Sequence, residues 1–458
     1  MLNHSRIPPS PEVLAHLFAD YRRYRDAAKK PVSFKRYLER IGFTDPAARF
    51  KHGDSGTRVG PKGAKLVQVP SRQVKGSVKV VVLLVDFPDK PGHRPATEFE
   101  EMLFSKATFQ TGSLRDFYTE VSLGQVDVTG TVHGWLRMPQ KYSYYVNNKS
   151  GTGGYPKNVQ KLAEDAIAVA LKKKSAFDPG LDNFNDGSIT ALVLVHAGRG
   201  AEVLGSKLLQ NAAIWSHKAD MKKAVEVLPG LAATNYLTVP EDCHMGVCAH
   251  ELGHLLFQWD DFYDPNYADD GTEWDGSGVW DLMAAGSWND GGITPAHPAG
   301  LHKSQHGWVT IQDIAATKAG VVIPPYTANS GTVVRIRSPR FTPTQCLILE
   351  NRRRTGFDRM LPGEGLLVWL VDPRMEMTAP GRPAMLLVEA DGRHDLETPN
   401  DSDEGDVGDP FPGPQGKNTS VGDTGPTSTS FAGVKSGVSI TSIKANANGS
   451  ISFDVAIA

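Results

Sequence analysis

The chain has 458 residues, more than one hydrophobic core usually organises, so two or three domains are expected. Its 49 Lys and Arg balance 51 Asp and Glu, which leaves no bulk field to draw in nucleic acid or an anionic membrane. With 46 Gly and 31 Pro it is loop-rich rather than a helical bundle, and no apolar run is long enough for a transmembrane anchor.

The first residues, Met-Leu-Asn-His-Ser-Arg-Ile-Pro-Pro, lack the basic, apolar, small-residue order of a secretory signal peptide. Residues 11–45 show helical apolar spacing at Val13, Leu14, Leu17, Phe18 and Tyr21, and a Gly-, Lys- and Pro-containing stretch follows from Gly53 to about Gly63. Residues 1–75 therefore read as a helical amino-terminal segment and linker. The run from Val78 to Phe87 is a buried strand by length and β-branched content, and it opens a main domain over 76–318. Helical spacing over 95–122 involves Phe99, Met102, Leu103, Leu114, Phe117 and Tyr118; Gln125 to Leu136 alternate as a strand pair with Gly turns. Asn158 to Lys174 form an amphipathic helix and Ile189 to His196 a second buried strand, an order that predicts an α/β layer. From Gly320 onward short β patterns recur at Thr332 to Ile336, Cys346 to Glu350, Gly365 to Val371, Met385 to Ala390, Val438 to Ile443 and Ile451 to Ile457. They predict a β-sandwich module over 319–458.

The segment Cys243 to Asp264 carries the chemistry. A helix from about Gly246 to Phe257 places His250 and His254 one turn apart on one face, where two imidazoles can share an ion. Zinc suits two imidazoles, a carboxylate and an open water position. Glu251 lies beside the ion without ligating it, placed as general base for a water. Apolar Val247, Leu252, Leu255, Leu256 and Phe257 indicate a buried helix, so its polar residues need partners. Asp260 and Asp261 follow, and either can supply the third ligand. Downstream, Gly278-Val-Trp-Asp-Leu-Met283-Ala-Ala-Gly286 is a tight turn holding a methionine.

These features resemble the immune inhibitor A-type bacterial metalloproteases, which are metzincin-like. The likeness rests on Val82 to Asp89, Gly112 to Tyr118, Val195 to Glu202, Ile214 to His217, the metal and Met-turn segments, and Glu350 to Trp369. The resemblance implies an α/β (α+β) metzincin-like catalytic domain with a zinc helix and Met turn. It further implies a zinc endopeptidase of protein or peptide substrates, typically secreted, with Zn2+ and in some members Ca2+, and residues before about 75 as a prodomain. The metzincin spacing, six residues past the second His, selects Asp260; the Asp-Phe-Tyr-Asp context selects Asp261, at seven. Asp261 is the preferred third ligand, with His250, His254 and the base Glu251. Family members often carry Gly where this chain has Phe257 or Gln258.

Among secondary features, Asp182 to Ser188 has the alternating oxygen donors of a calcium loop or an Asx-rich turn. The acidic stretch Asn400 to Asp409 reads as a solvated loop before a second calcium loop. His217 is a cleft candidate, His196 a core candidate, and Tyr263 an oxyanion donor or a packing residue. Arg352, Arg353 and Arg354 read as solvated surface. Three cysteines, Cys243, Cys248 and Cys346, are too few for a disulfide framework. The rival functions are a catalytically silent binding protein on this scaffold, against which the intact Glu251 argues, and a zinc hydrolase of a non-peptide bond. Oligomeric state is left open, as is the cytoplasm as location, given the missing signal peptide.

Overall fold

A computed structural model describes residues 4–6, 21–32, 37, 58–59, 65–66, 69–173, 176–263, 275–326, 331–374, 384–398, 403–425, 427–431 and 433–458. Most of the helix expected over 11–45 and of the linker at 53–63 lies outside these residues; 21–27 is helical.

The first sheet is built around β1 (Gly76–Asp86). Its two faces are both apolar: Val78, Val80, Val82 and Leu84 enter one core, and Val81, Leu83 and Val85 another. A strand buried on both sides reads as a continuous hydrophobic run, which is why it was legible. Helix α1 (Ala96–Phe104) and helix α2 (Leu114–Val121) lead to β2 (Val126–Arg137). Ser113 and Asp116 close a capping box at the start of α2. Expected as a strand pair, 125–136 is one long strand parallel to β1, with its glycines inside it. A Cβ at Gly130 would lie 2.3 Å from the Phe104 ring, so glycine here admits a close neighbour instead of making a turn.

Helix α3 (Val159–Ala170), capped by Asn158, covers the second core, and β3 (Leu192–His196) lies beside β1. Next comes a hairpin, β4 (His217–Leu228) and β5 (Leu231–Pro240), turning at Pro229-Gly230. The sheet order is the short strand His4–Arg6, then β4, β5, β3, β1 and β2, with the first two pairings antiparallel and the rest parallel. Helix α4 (Met245–Phe257) packs on the first core, where Tyr118 of α2 donates to the Ala249 carbonyl at 2.6 Å. All thirteen of its residues are buried, so its charged groups depend on partners from the protein.

The remaining chain forms β6 (Thr310–Ile314), β7 (Lys318–Ile323), β8 (Thr332–Ile336), β9 (Cys346–Arg352), β10 (Gly365–Val371), β11 (Met385–Leu387), β12 (Val438–Ala445) and β13 (Ile451–Ile457). They make a five-stranded sheet, β11-β10-β9-β8-β6, and a three-stranded sheet, β7-β13-β12. Strand β6 lies before residue 319 yet pairs with β8. Alternation along β9 and β10 explains the layering. Leu347, Leu349, Leu366, Val368 and Leu370 face a core shared with the three-stranded sheet. Ile348, Leu367, Trp369 and Val371 instead join the core that contains α4. The five-stranded sheet is thus packed directly onto the layer that holds the His-Glu helix.

Arg352, expected at the surface, is fully buried at this junction. It pairs with Asp358 at 2.7 and 2.5 Å and donates to the carbonyls of Trp280 (2.8 Å) and His297 (3.4 Å). Burying the charge is tolerable because every arm of the fork is engaged. Arg353 is half-buried and Arg354 exposed.

Candidate metal centre

Helix α4 presents His250 and His254 from successive turns, with their Nε2 atoms 3.0 Å apart. Its last turn ends at Gln258, whose left-handed φ of 58° reverses the chain. The reversal returns Asp261 to the same point: its Oδ1 lies 3.2 Å from His250 Nε2 and 3.1 Å from His254 Nε2. Gln258 Oε1 accepts from the backbone N–H and hydroxyl of Ser71, which holds the turn. Asp260 is buried but does not join this grouping of donor atoms.

The second nitrogen of each imidazole fixes its orientation. His250 Nδ1 faces the Leu282 carbonyl at 2.9 Å and His254 Nδ1 faces the Trp259 carbonyl at 2.6 Å. A carbonyl only accepts, so each Nδ1 carries the proton and each Nε2 turns a lone pair inward. Two imidazole lone pairs and a carboxylate oxygen then confront one another at hydrogen-bond distance without a proton between the nitrogens. A cation resolves that confrontation. Tetrahedral zinc bonds of about 2.0–2.1 Å put donors roughly 3.3 Å apart, close to the spacing found here.

The turn around Met283 supports this point from below. Met283 is fully buried, and a Cβ at Gly253 would lie 2.7 Å from its Sδ, so glycine lets the thioether approach the helix between the two histidines. Its carbonyl accepts from the Phe262 N–H, next to Asp261, at 2.8 Å. Asp281 builds the turn: its carboxylate accepts from Met283 N, Ala299 N and Ser277 Oγ. It stays charged although burial opposes this, because His302 and the backbone N–H groups hold its carboxyl below its ordinary value. Sequence reading did not single out Asp281, and the carbonyls of Leu282 and Trp259 leave no trace in side-chain identity.

Glu251 is fully buried, and neither carboxylate oxygen has a hydrogen-bond partner among the described residues. Burial pushes its carboxyl well above the usual range, helped by the charges of Asp261 and Glu202 and opposed by Lys218. Glu202 and Lys218 are both buried and went unassigned in the sequence. Burial raises Glu202 to about 7 although it accepts from Ser216 Oγ and N. Burial likewise lowers His250, which favours the neutral imidazole.

His217 is buried, with Nδ1 on the Trp215 carbonyl and Nε2 near the Tyr236 hydroxyl, a packed position rather than a cleft one. His196 is core, lowered to about 3 by burial. Tyr263 is buried too. In 182–188, Asp182 accepts from the N–H groups of Asp186 and Gly187 while Asp186 pairs with Arg72, the bonding of an Asx-rich turn. Two further acidic groupings occur among the described residues, Glu389–Asp391–Asp409 and Asp395–Asp403–Asp406. Residues 400–402 of the acidic stretch lie outside the described residues.

Residues 67–314 match the immune inhibitor A peptidase M6 catalytic domain. The chain is 30% identical over 322 residues to the pre-pro-metalloprotease PrtV of Vibrio cholerae serotype O1, covering 57% of this chain and 34% of that protein. It is 32% identical over 255 residues to immune inhibitor A of Bacillus thuringiensis subsp. alesti, covering 46% and 36%. It therefore matches only about a third of the length of these relatives. No described helix is long and apolar enough to cross a membrane. With its catalytic-domain match spanning more than half of the sequence, the chain belongs to the immune inhibitor A peptidase family M6.

Proposed function

We propose that this chain is a zinc-dependent endopeptidase of proteins or peptides, with His250, His254 and Asp261 holding the ion and Glu251 acting as general base. One observation carries the proposal: two imidazole lone pairs and a carboxylate oxygen converge within 3.0–3.2 Å, next in sequence to a buried Glu251 whose carboxylate has no hydrogen-bond partner among the described residues. Asp261 is preferred to Asp260 as third ligand because its oxygen reaches both imidazoles.

When bound, zinc supplies Lewis-acid polarisation of a carbonyl and acidifies water. Leu282 and Trp259 hold the imidazoles in the ligating tautomer through their carbonyls. Glu251, desolvated by burial, takes a proton from the attacking water and delivers it to the leaving amine. Burial and the charge of Asp261 favour neutral Glu251, and its charged, basic form would be favoured once Asp261, His250 and His254 held a cation.

The finer features belong to the same proposal. The sheet with its His-Glu helix and underlying methionine is metzincin-like, and the two carboxy-terminal sheets, sharing one core, form a β-sandwich module that stiffens the floor of the site. The relatives' names, metalloprotease and immune inhibitor, favour a protein substrate, and secretion rests on the family resemblance. Calcium is the second cation to test, with the acidic groupings around 389–409 as its donors.

The test is casein cleavage together with zinc content for wild type and Glu251→Gln. The wild type is expected to cleave and hold about one zinc, and the variant to keep zinc while losing at least about 100-fold in rate. Full activity in Glu251→Gln, or a wild type that binds zinc without cleaving any protein, overturns the assignment; the latter outcome favours the silent binding scaffold.

A further inference from the structure

Two thiols unused by the proposed chemistry meet at the start of the His-Glu helix. Cys243 lies in the turn between β5 and α4, and Cys248 in the first part of α4, two residues before His250. Their Sγ atoms are 3.7 Å apart, in contact and unbonded. Cys346, the third cysteine, is on β9, in the other sheet.

The turn is held in place independently of these thiols. Arg94 donates to the carbonyls of Glu241 (2.7 Å) and Cys243 (3.3 Å), and Glu241 accepts from the N–H groups of His93 and Gly198. Cys243 is therefore presented to Cys248 by a fixed backbone. Its sequence neighbours Asp242 and His244 are exposed, so the turn itself reaches solvent although both sulfurs are covered. Cys248 also borders a small apolar gap lined by Val80, Val82, Leu114 and Leu252. A disulfide of about 2.05 Å asks the sulfurs to approach by roughly 1.6 Å, within reach of side-chain rotation.

From this geometry we infer that Cys243 and Cys248 form a reversible intrachain disulfide that staples the β5–α4 turn to the His-Glu helix under oxidising conditions. The oxidant is a low-molecular-weight disulfide, RSSR. One cysteine thiolate attacks it, releasing one RS− and leaving a mixed disulfide; the second thiolate displaces the other RS−. Two electrons pass from the cysteine pair to RSSR, two thiol protons end on two RSH, and one S–S bond replaces another. Such a bond constrains a short loop at the start of the metal-bearing helix and raises its resistance to unfolding.

The full chain is equilibrated with oxidised and reduced glutathione at several ratios, denatured in excess iodoacetamide, and measured by intact mass and peptide mapping. A second sample is produced by export into an oxidising compartment. The expected result is one alkylated thiol, Cys346, with a linked Cys243–Cys248 peptide that dithiothreitol reverses. The oxidised form should melt about 3 °C higher, and Cys243→Ser/Cys248→Ser should abolish that redox dependence. Three alkylated thiols in both samples, linkage through Cys346, or the same redox-dependent melting in the double variant would each overturn the inference.

Discussion

Arg352→Met removes the guanidinium that joins the five-stranded sheet to the Met-turn segment. The variant keeps most of the side-chain volume, but it leaves Asp358, itself buried, without its countercharge and frees the carbonyls of Trp280 and His297. Glu350 keeps Lys303 at 3.3 Å, so the loss centres on Asp358. Breaking a buried pair from one side costs about 3–5 kcal/mol. If the roughly 390 residues after 68 unfold together, their unfolding entropy is about 0.8 kcal/mol/K, and the melting temperature should fall by about 5 °C. Arg352→Met/Asp358→Asn removes both charges while keeping an acceptor for the His297 N–H, and should recover at least half of that loss. Acid titration gives an independent reading. Although burial opposes its charge, Asp358 is held well below the usual carboxylate range by Arg352. Its contribution is therefore present above the unfolded carboxylate pKa of about 3.9 and fades as pH falls below it; the double variant should lack that loss. Thermal melts by circular dichroism across pH decide the matter. A single variant within about 1 °C of wild type, or a double variant no better than the single, would refute the clamp.

Removing the metal with a chelator should lower the melting temperature by several degrees and zinc should restore it, since an ion bound only to the folded state stabilises by about 4 kcal/mol at a thousandfold excess over Kd; an unchanged melt contradicts zinc binding at the three donors. Gly246→Ala sets a Cβ 2.1 Å from the backbone carbonyl of Ser287 and should cost about 3 kcal/mol, read by denaturant melts. Gly253→Ala meets the movable Met283 Sδ instead, so stability should change by less than about 1 kcal/mol while zinc affinity falls about tenfold in competition titration. Burial raises Asp409 to about 8, so its stabilising effect is complete below the unfolded pKa of about 3.9 and is lost as pH rises toward 8. In chelator, Asp409→Asn should therefore melt a few degrees above wild type at pH 8 and level with it at pH 4; no difference between the two pH values counts against the buried acid.

Strands buried on both faces are legible in the sequence, as are the alternating, half-exposed ones at Val438–Ala445 and Ile451–Ile457. Val78 to Asp86 and Gly365 to Val371 have no polar alternation to confuse with helix, and their β-branched and aromatic content decides the type. The β4–β5 hairpin went unread because Lys218, Lys222, Lys223 and Glu226 mask its period, although Pro229-Gly230 marked its turn. Gly130 and Gly134 misled in the opposite direction, since close approach of Phe104 and Leu84, not a turn, is what requires them. Within the site, helix periodicity alone places His250 and His254 on one face. Which aspartate returns to them depends on the left-handed turn at Gln258, where a non-glycine residue hides the chain reversal. Arg352 looked like surface because a run of three arginines usually is; only the fold supplies Asp358 and two carbonyls to receive one of them.

Zinc stoichiometry by mass spectrometry on purified wild type, His250→Ala, His254→Ala, Asp260→Ala and Asp261→Ala probes the centre directly, without reference to substrate. About one zinc per chain is expected in wild type and Asp260→Ala, and far less in the two histidine variants and in Asp261→Ala. Zinc retained by Asp261→Ala but lost from Asp260→Ala, or absent from the wild type altogether, would contradict the ligand set on which the proposed chemistry stands.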